Sequence, residues 1–197
     1  MAMQIFQFTN NFINMKRVTL FALSCLAVVL TTQAQGIQPP PEGKAVVYFV
    51  RVSSLGAVID FTYFDSTKVI GRFNSRNYIR YECDPGEHLF CAHSENDDFI
   101  TADLEAGKIY FVEAVPSMGM LYAQVFLHPI DPSDKRMPKL ENIVNKFSPR
   151  TMTDDELARE AKHQEKNIEQ ALEKYHKNLA NGKKKYKRLE RTMYYKP

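Results

Sequence analysis

The sequence predicts an all-β fold, an antiparallel β-sandwich of about seven or eight strands, followed by a short helix and a long amphipathic C-terminal helix with a basic tail. Three observations support this prediction. Between residues 44 and 130, apolar or alternating segments recur at roughly 8–12-residue spacing with turn residues between them, as in sandwiches and barrels. Tyr and Phe, which favour strands, occur 10 and 13 times. No helical periodicity interrupts this region, which argues against a parallel βαβ fold.

A secretory signal peptide is predicted over residues 1–34. A Lys-Arg pair at residues 16–17 precedes an apolar run over residues 18–30, and a small-x-small site follows that ends at Ala34. Positive charge, a short apolar run and small exit residues are the three parts of a cleaved leader. We expect cleavage between Ala34 and Gln35, because the run is too short for a permanent membrane span. The protein is therefore expected in the periplasm or at the cell envelope.

Two alternatives concern this leader. Met15 is a second candidate start, because residues 1–14 are polar and aromatic and are long for the region before an apolar run. Cys25 raises the question of a lipid anchor, since lipidation uses a Leu-small-small-Cys box at the end of the apolar run. Here the apolar run continues through residues 26–30, so cleavage after Ala34 is favoured over acylation at Cys25.

Residues 35–43 contain three consecutive prolines and are expected to form an extended linker. The predicted β domain spans residues 44–131. Its first segment is almost wholly apolar, as expected for a strand buried on both faces, whereas several later segments alternate apolar and polar residues. The expected strands cover residues 45–52, 59–63, 68–73, 77–83, 88–93, 100–104, 108–115 and 121–130.

Cys83 and Cys91 flank a turn, Asp-Pro-Gly-Glu at residues 84–87. If the flanking strands paired across this turn, Cys83 would lie opposite His88, with Cys91 three residues further along. That places the two cysteines roughly 10 Å apart, beyond the ~7 Å limit between Cα atoms for a disulfide. We therefore expect two buried free thiols.

Residues 43–130 also resemble a known family. The resemblance is carried by residues 43–48 (GKAVVY), 68–71 (KVIG), Tyr78, 85–88 (PGEH) and 104–111 (LEAGKIYF). The stretch is similar to the DUF2846 domain, a domain of unknown function found in exported bacterial proteins and lipoproteins. The resemblance implies the β fold and export, and it implies no activity, cofactor or ligand.

Residues 132–152 form a linker that contains a short helix expected to start at Pro138. Its apolar residues lie on one face, which should dock on the sandwich; they are Leu140, Ile143, Val144 and Phe147.

In the segment 153–197, Thr153 and Glu156 form a capping box, and the helix that follows should run to Ala180 before an Asn-Gly stop.

The long helix carries a narrow apolar seam of the coiled-coil type, formed by Ile168, Leu172, Tyr175 and Leu179. Contact of this seam with another chain and self-association through it are both open. A seam this short is marginal by itself, since isolated helices gain most of their stability from packing.

The net charge of +3 is the sum of an acidic part and a basic part of the chain. Residues 35–134 carry 7 basic and 14 acidic side chains, and residues 135–197 carry 17 and 9, so a basic tail follows an acidic domain. The tail could fold back on its own domain, stay solvated, or meet an anionic surface, where each cation adds ~1 kcal/mol. The candidate contact residues are Lys183, Lys184, Lys185, Lys187, Arg188 and Arg191.

No motif specifies a reaction. A His/Cys cluster of Cys83, His88, Cys91 and His93 is interpreted as structural, because His88 and Cys91 point to opposite faces of one strand. The sequence lacks a nucleophile elbow, a phosphate-binding glycine loop and a dinucleotide fingerprint. We expect no metal and no cofactor, and nucleic acid does not fit the exported address. The prediction is a non-enzymatic binding or structural module of the envelope, with a hydrolase acting on an envelope polymer as the alternative.

Overall fold

The computed structural model describes residues 36–55, 59–118 and 123–196. The predicted leader, its cleavage site between Ala34 and Gln35, and Cys25 lie outside the described residues.

The described residues form nine strands and two helices. In chain order the elements are β1 (Ala45–Arg51), β2 (Phe61–Asp65), β3 (Lys68–Phe73), β4 (Asn77–Cys83), β5 (Gly86–His93), β6 (Asp97–Leu104), β7 (Ile109–Met118), β8 (Ala123–Ile130), α1 (Met137–Lys146), α2 (Asp154–Ala180) and β9 (Lys187–Leu189). The first eight strands and both helices lie within a few residues of the predicted segments.

The strands form two sheets, and both are mixed. The first sheet has the order β4-β1-β7-β8, and the second has the order β3-β2-β5-β6-β9. β1 pairs with β7 in parallel, and so does β6 with β9. The prediction of a mostly β fold is confirmed, but the purely antiparallel arrangement is wrong. The chain leaves the first sheet after β1 and after β4 and re-enters it from the second sheet, so neighbouring strands need not be joined by hairpins.

Three apolar interfaces divide the fold into four layers, in the order α1, first sheet, second sheet, α2. The main core lies between the sheets and includes Val47 and Phe49 of β1. The alternate residues of β1, among them Val46 and Tyr48, pack against α1 on the outer face of the first sheet. Because β1 is buried on both faces, its sequence is almost unbroken in apolar residues. The third interface joins the second sheet to α2.

The proline-containing segment before β1 lies against the fold. Ile37 packs on the cluster beneath α1, and the backbone N–H of Gln38 donates to the hydroxyl of Tyr48 at 2.9 Å. The guanidinium of Arg80 donates to the carbonyl of Pro39 at 3.0 Å. These contacts hold the described residues before β1 against the fold.

The turn between Cys83 and His88 joins the two sheets, so the expected β4–β5 hairpin is wrong. β4 pairs with β1 in the first sheet, whereas β5 pairs with β2 and β6 in the second. Cys83 consequently lies in the core between the sheets, and Cys91 lies beneath α2. Both cysteines are free and buried, so the prediction of two unbridged thiols is confirmed for a different geometric reason.

The basic tail folds back on its own domain. After α2, which begins with the predicted capping box at Thr153, the chain turns at Gly182 (φ +60°) and adds β9 to the second sheet. Leu189 in β9 is fully buried, and the backbone N–H of Tyr195 donates to the carbonyl of Ile109 at 2.7 Å. The sequence analysis missed β9, because three residues in a lysine-rich stretch carry no strand periodicity.

The burial of the cysteines predicts slow alkylation of the native protein. Burial raises the pKa of the Cys83 thiol to about 12 and raises that of Cys91 well above its usual value, and the thiolate is the reactive form. At pH 8, without reductant, iodoacetamide should modify both residues readily in urea and far more slowly in buffer. Peptide mass spectrometry measures this. A disulfide, or equal rates in both conditions, would contradict the described packing.

Candidate functional site

A cleft of about 270 Å³ lies between the C-terminal half of α2, the start of β6 and the segment that joins α2 to β9. Its walls combine aromatic rings, two lysines, an amide and a carboxylate. The lining residues are Asp97, Phe99, Ala171, Lys174, Tyr175, Asn178, Lys184 and Tyr186.

Three aromatic rings form the floor of the cleft. The ring centroids of Tyr175 and Tyr186 are 4.4 Å apart, and those of Phe99 and Tyr175 are 5.0 Å apart. Phe99 and Tyr175 are buried, whereas Tyr186 is partly open to solvent. Offset contacts of this kind stabilise aromatic pairs beyond their burial alone, so the floor is a fixed apolar surface.

The packing of α2 places Tyr175 in this floor. One stripe of the helix is buried, and it runs through Glu160, Gln164, Ile168, Ala171 and Tyr175. Its apolar half covers Phe64, Val69, Cys91 and Phe99 of the second sheet. The predicted seam is therefore largely occupied within the chain: Ile168 and Tyr175 are buried, Leu172 packs beside them, and Leu179 remains 55% exposed.

A buried carboxylate anchors the other half of that stripe. Glu160 accepts hydrogen bonds from Thr62 at 3.0 Å, Gln164 at 3.1 Å and Arg72 at 3.0 Å. Burial opposes ionisation of Glu160, but these three donors outweigh it and lower the pKa of the carboxyl. Sequence reasoning missed this residue; the signal was its spacing of four and eight residues before Gln164 and Ile168 on the buried face.

Some polar side chains at the rim of the cleft are paired with other residues, and others are not. Lys184 lies 3.3 Å from the buried carboxylate of Asp98 and over the ring of Tyr186, and Asp97 contacts Nδ1 of His93 at 2.7 Å. Within the described part of the chain, by contrast, the side chains of Lys174 and Asn178 make no hydrogen bond or ion pair. The rim thus offers two unpartnered polar groups beside the floor.

Four of the six predicted tail residues contact acceptors of their own domain. Besides Lys184, Lys187 donates to the carbonyl of Leu127 at 2.8 Å, which helps to close the edge of β8. Arg188 pairs with Glu87 at 2.6 Å, and Arg191 pairs with Asp103 at 2.9 Å.

Lys183 and Lys185 are exposed and form no ion pair with any described residue. The same holds for Lys174 and Lys177 in the last turns of α2. These four exposed lysines, in the last turns of α2 and in the segment that follows it, are called here the lysine group.

The predicted His/Cys cluster is not brought together. Cys83 and Cys91 lie in different cores, as described above, and His93 pairs with Asp97. His88 instead bridges the carboxylate of Asp65, 2.7 Å from Nδ1, and the carbonyl of Asp84, 2.8 Å from Nε2. The described residues contain no group of three or more His, Cys, Asp or Glu side chains arranged to hold a metal ion.

His88 belongs to a small polar cluster that joins the two sheets. Tyr81 of β4 donates to the same oxygen of Asp65, the last residue of β2, at 3.0 Å. Both nitrogens of His88 face acceptors, and only the imidazolium has two N–H donors. The hydrogen bond with Asp65 accordingly raises the pKa of His88 against the opposing effect of burial. Because both of its ring nitrogens are hydrogen-bonded within the protein, His88 has the geometry of a structural residue.

No helix in the described part of the chain is long and apolar enough to cross a membrane. Comparison of the chain with protein-family models, with curated proteins and with solved structures finds no match. The resemblance of residues 43–130 to the DUF2846 domain stays a prediction.

The His88 cluster predicts a pH-dependent stability. Because the folded-state pKa is raised, the cluster stabilises the fold fully below the unfolded pKa of about 6.5, and this contribution is lost as pH rises through the folded pKa. Replacing His88 by Gln should therefore lower the urea midpoint most near pH 5 and least near pH 9. The exposed His163→Gln is the matched control. A His88→Gln effect of equal size at every pH would contradict the imidazolium assignment.

Proposed function

We propose that this chain is an exported, non-enzymatic module that binds an anionic component of the cell envelope through the lysine group. The supporting observation is the state of the basic segment. Arg188 and Arg191 are paired with acids of their own sheet, whereas the lysine group projects into solvent around the end of α2. Four exposed lysines near the end of α2 supply the positive potential that attracts a polyanion.

Export is supported by the order of segments along the chain. The basic and apolar leader pattern ends at Ala34, and Ile37, three residues later, packs against the fold. Cleavage between Ala34 and Gln35 would retain Ile37 and this contact. The two cysteines of that body are buried and separate, which suits a compartment where exposed thiols oxidise.

Electrostatic attraction sets the scale of the binding. Each cation near an anionic surface contributes about 1 kcal/mol, and the attraction falls off within one screening length, so four lysines suffice for a reversible, salt-sensitive contact. At 1 M salt the screening length falls to about 3 Å, and such a contact should be lost. The proposal therefore makes the envelope association dependent on salt.

One fractionation experiment tests both parts of the proposal. The full chain is expressed in a bacterial host, and the envelope fraction is washed at low and at high salt. We expect a protein that begins at Gln35, remains with the envelope at low salt and is released at 1 M salt. Val28→Arg, which interrupts the apolar run, should leave the unprocessed chain in the cytoplasm.

The lysine group is tested in the same fractions by replacing Lys174, Lys177, Lys183 and Lys185 with Gln. This variant should be processed normally but recovered free of the envelope at low salt. The matched control replaces four other exposed lysines, Lys135, Lys139, Lys162 and Lys166, and should behave as wild type. An unprocessed wild-type chain would overturn export, and equal release of both quadruple variants would overturn the role of the lysine group.

A further inference from the structure

We propose that the cleft beside α2 binds one acidic sugar unit of an envelope polysaccharide, an inference that rests on the proposed function and names its ligand class. Four features of the cleft carry the inference: its unpartnered polar groups, its aromatic floor, its size and its charge.

The polar groups of the cleft converge without satisfying one another. Lys174 and Asn178 lie one helical turn apart on α2 and make no side-chain hydrogen bond within the described residues. The hydroxyls of Tyr175 and Tyr186 likewise have no hydrogen-bond partner among the described residues. A ligand that carries several hydroxyls can bond to an amide, an ammonium and two phenols at once.

The floor supplies the apolar surface that such a ligand needs. A pyranose ring has a rim of hydroxyls and a face of C–H groups, and that face requires an apolar contact to leave water. The partly open ring of Tyr186, supported from behind by Tyr175 at 4.4 Å, offers this contact. Binding sites for small molecules commonly combine apolar walls with a few precisely placed polar groups, as this cleft does.

Size limits the ligand to one ring. The cleft holds about 270 Å³, which is below the ~300–1,000 Å³ typical of clefts for drug-sized molecules. A dinucleotide would exceed this volume. A single unit of a longer polymer fits, with its neighbours passing over the exposed lysine group.

Charge selects an acidic sugar over a neutral one. Lys174 and Lys184 line the cleft, and the exposed Lys177, Lys183 and Lys185 lie within a few residues of them in the chain. Asp98 pairs with Lys184 and Asp97 contacts His93, so the positive charge left for a ligand comes from Lys174 and from the exposed lysines that follow it in the chain. The remaining positive potential attracts a carboxylate on the sugar ring or on its neighbours.

The test is calorimetric titration of the purified protein at low salt with oligogalacturonate, with a neutral galactose oligomer of the same length, and with phosphatidylglycerol vesicles. We expect saturable binding of oligogalacturonate and at least tenfold weaker binding of the neutral oligomer. Lys174→Gln and Asn178→Ala should each weaken oligogalacturonate binding roughly five- to tenfold. Lys166→Gln, an equal change of charge on the exposed face of α2, should leave it unchanged.

The outcomes separate the two proposals. If Asn178→Ala binds as wild type, or if Lys166→Gln weakens binding as much as Lys174→Gln, the attraction is one of net charge and the cleft is not the site. If vesicles bind and oligogalacturonate does not, the sugar inference fails while anion binding by the lysine group stands. If no polyanion binds, both proposals fail.

Discussion

The docking of α2 on the outer face of the second sheet is the constraint on which the rest of the structure depends. Ile168, Ala171 and Tyr175 cover one end of that face, and Glu160 accepts three hydrogen bonds at the other. Loss of the carboxylate would leave buried donors unsatisfied, at a cost of about 1–3 kcal/mol for each neutral group. The apolar and polar contacts together fix the helix in one register, which decides where its last turns and the following segment lie.

Several features follow from that register. Tyr175 meets Phe99 and Tyr186, so the cleft has a floor. The chain then turns at Gly182 and places β9 beside β6. From β9, Lys187 donates a hydrogen bond to the carbonyl of Leu127 on the edge strand β8. Asn96 bonds the N–H and C=O groups of Val125, and Asp98 accepts from the N–H of Leu127. An edge strand closed in this way cannot pair with another chain along those groups. The tail is thus part of the domain, and the lysine group stays exposed to solvent.

The sequence predicted what depends on local patterns. Apolar runs, alternation and turn residues located the first eight strands, and the capping box at Thr153 located the start of α2. It could not predict which strands pair, because the parallel pairing of β1 with β7 joins residues more than sixty positions apart. The same limit hid the cleft, since Asp97 and Phe99 meet residues of α2 only through the tertiary fold. The charge division of the chain left three outcomes open for the tail: folding back, staying solvated or meeting an anionic surface. The choice among them required the positions of Glu87 and Asp103.

Hydrogen exchange of the native protein measures the docking of α2, on which the cleft, the tail and the exposed lysine group all depend. We expect the backbone amides of α2 around Ile168 and Tyr175, and those of β9, to exchange as slowly as amides of the central strands. Glu160→Ala should speed exchange in α2 and β9 together, whereas Glu165→Ala, at an exposed position of the same helix, should change neither. Rapid exchange of α2 and β9 in the unaltered protein, at the rate of a free helix and an unpaired strand, would show that α2 is not docked on the second sheet.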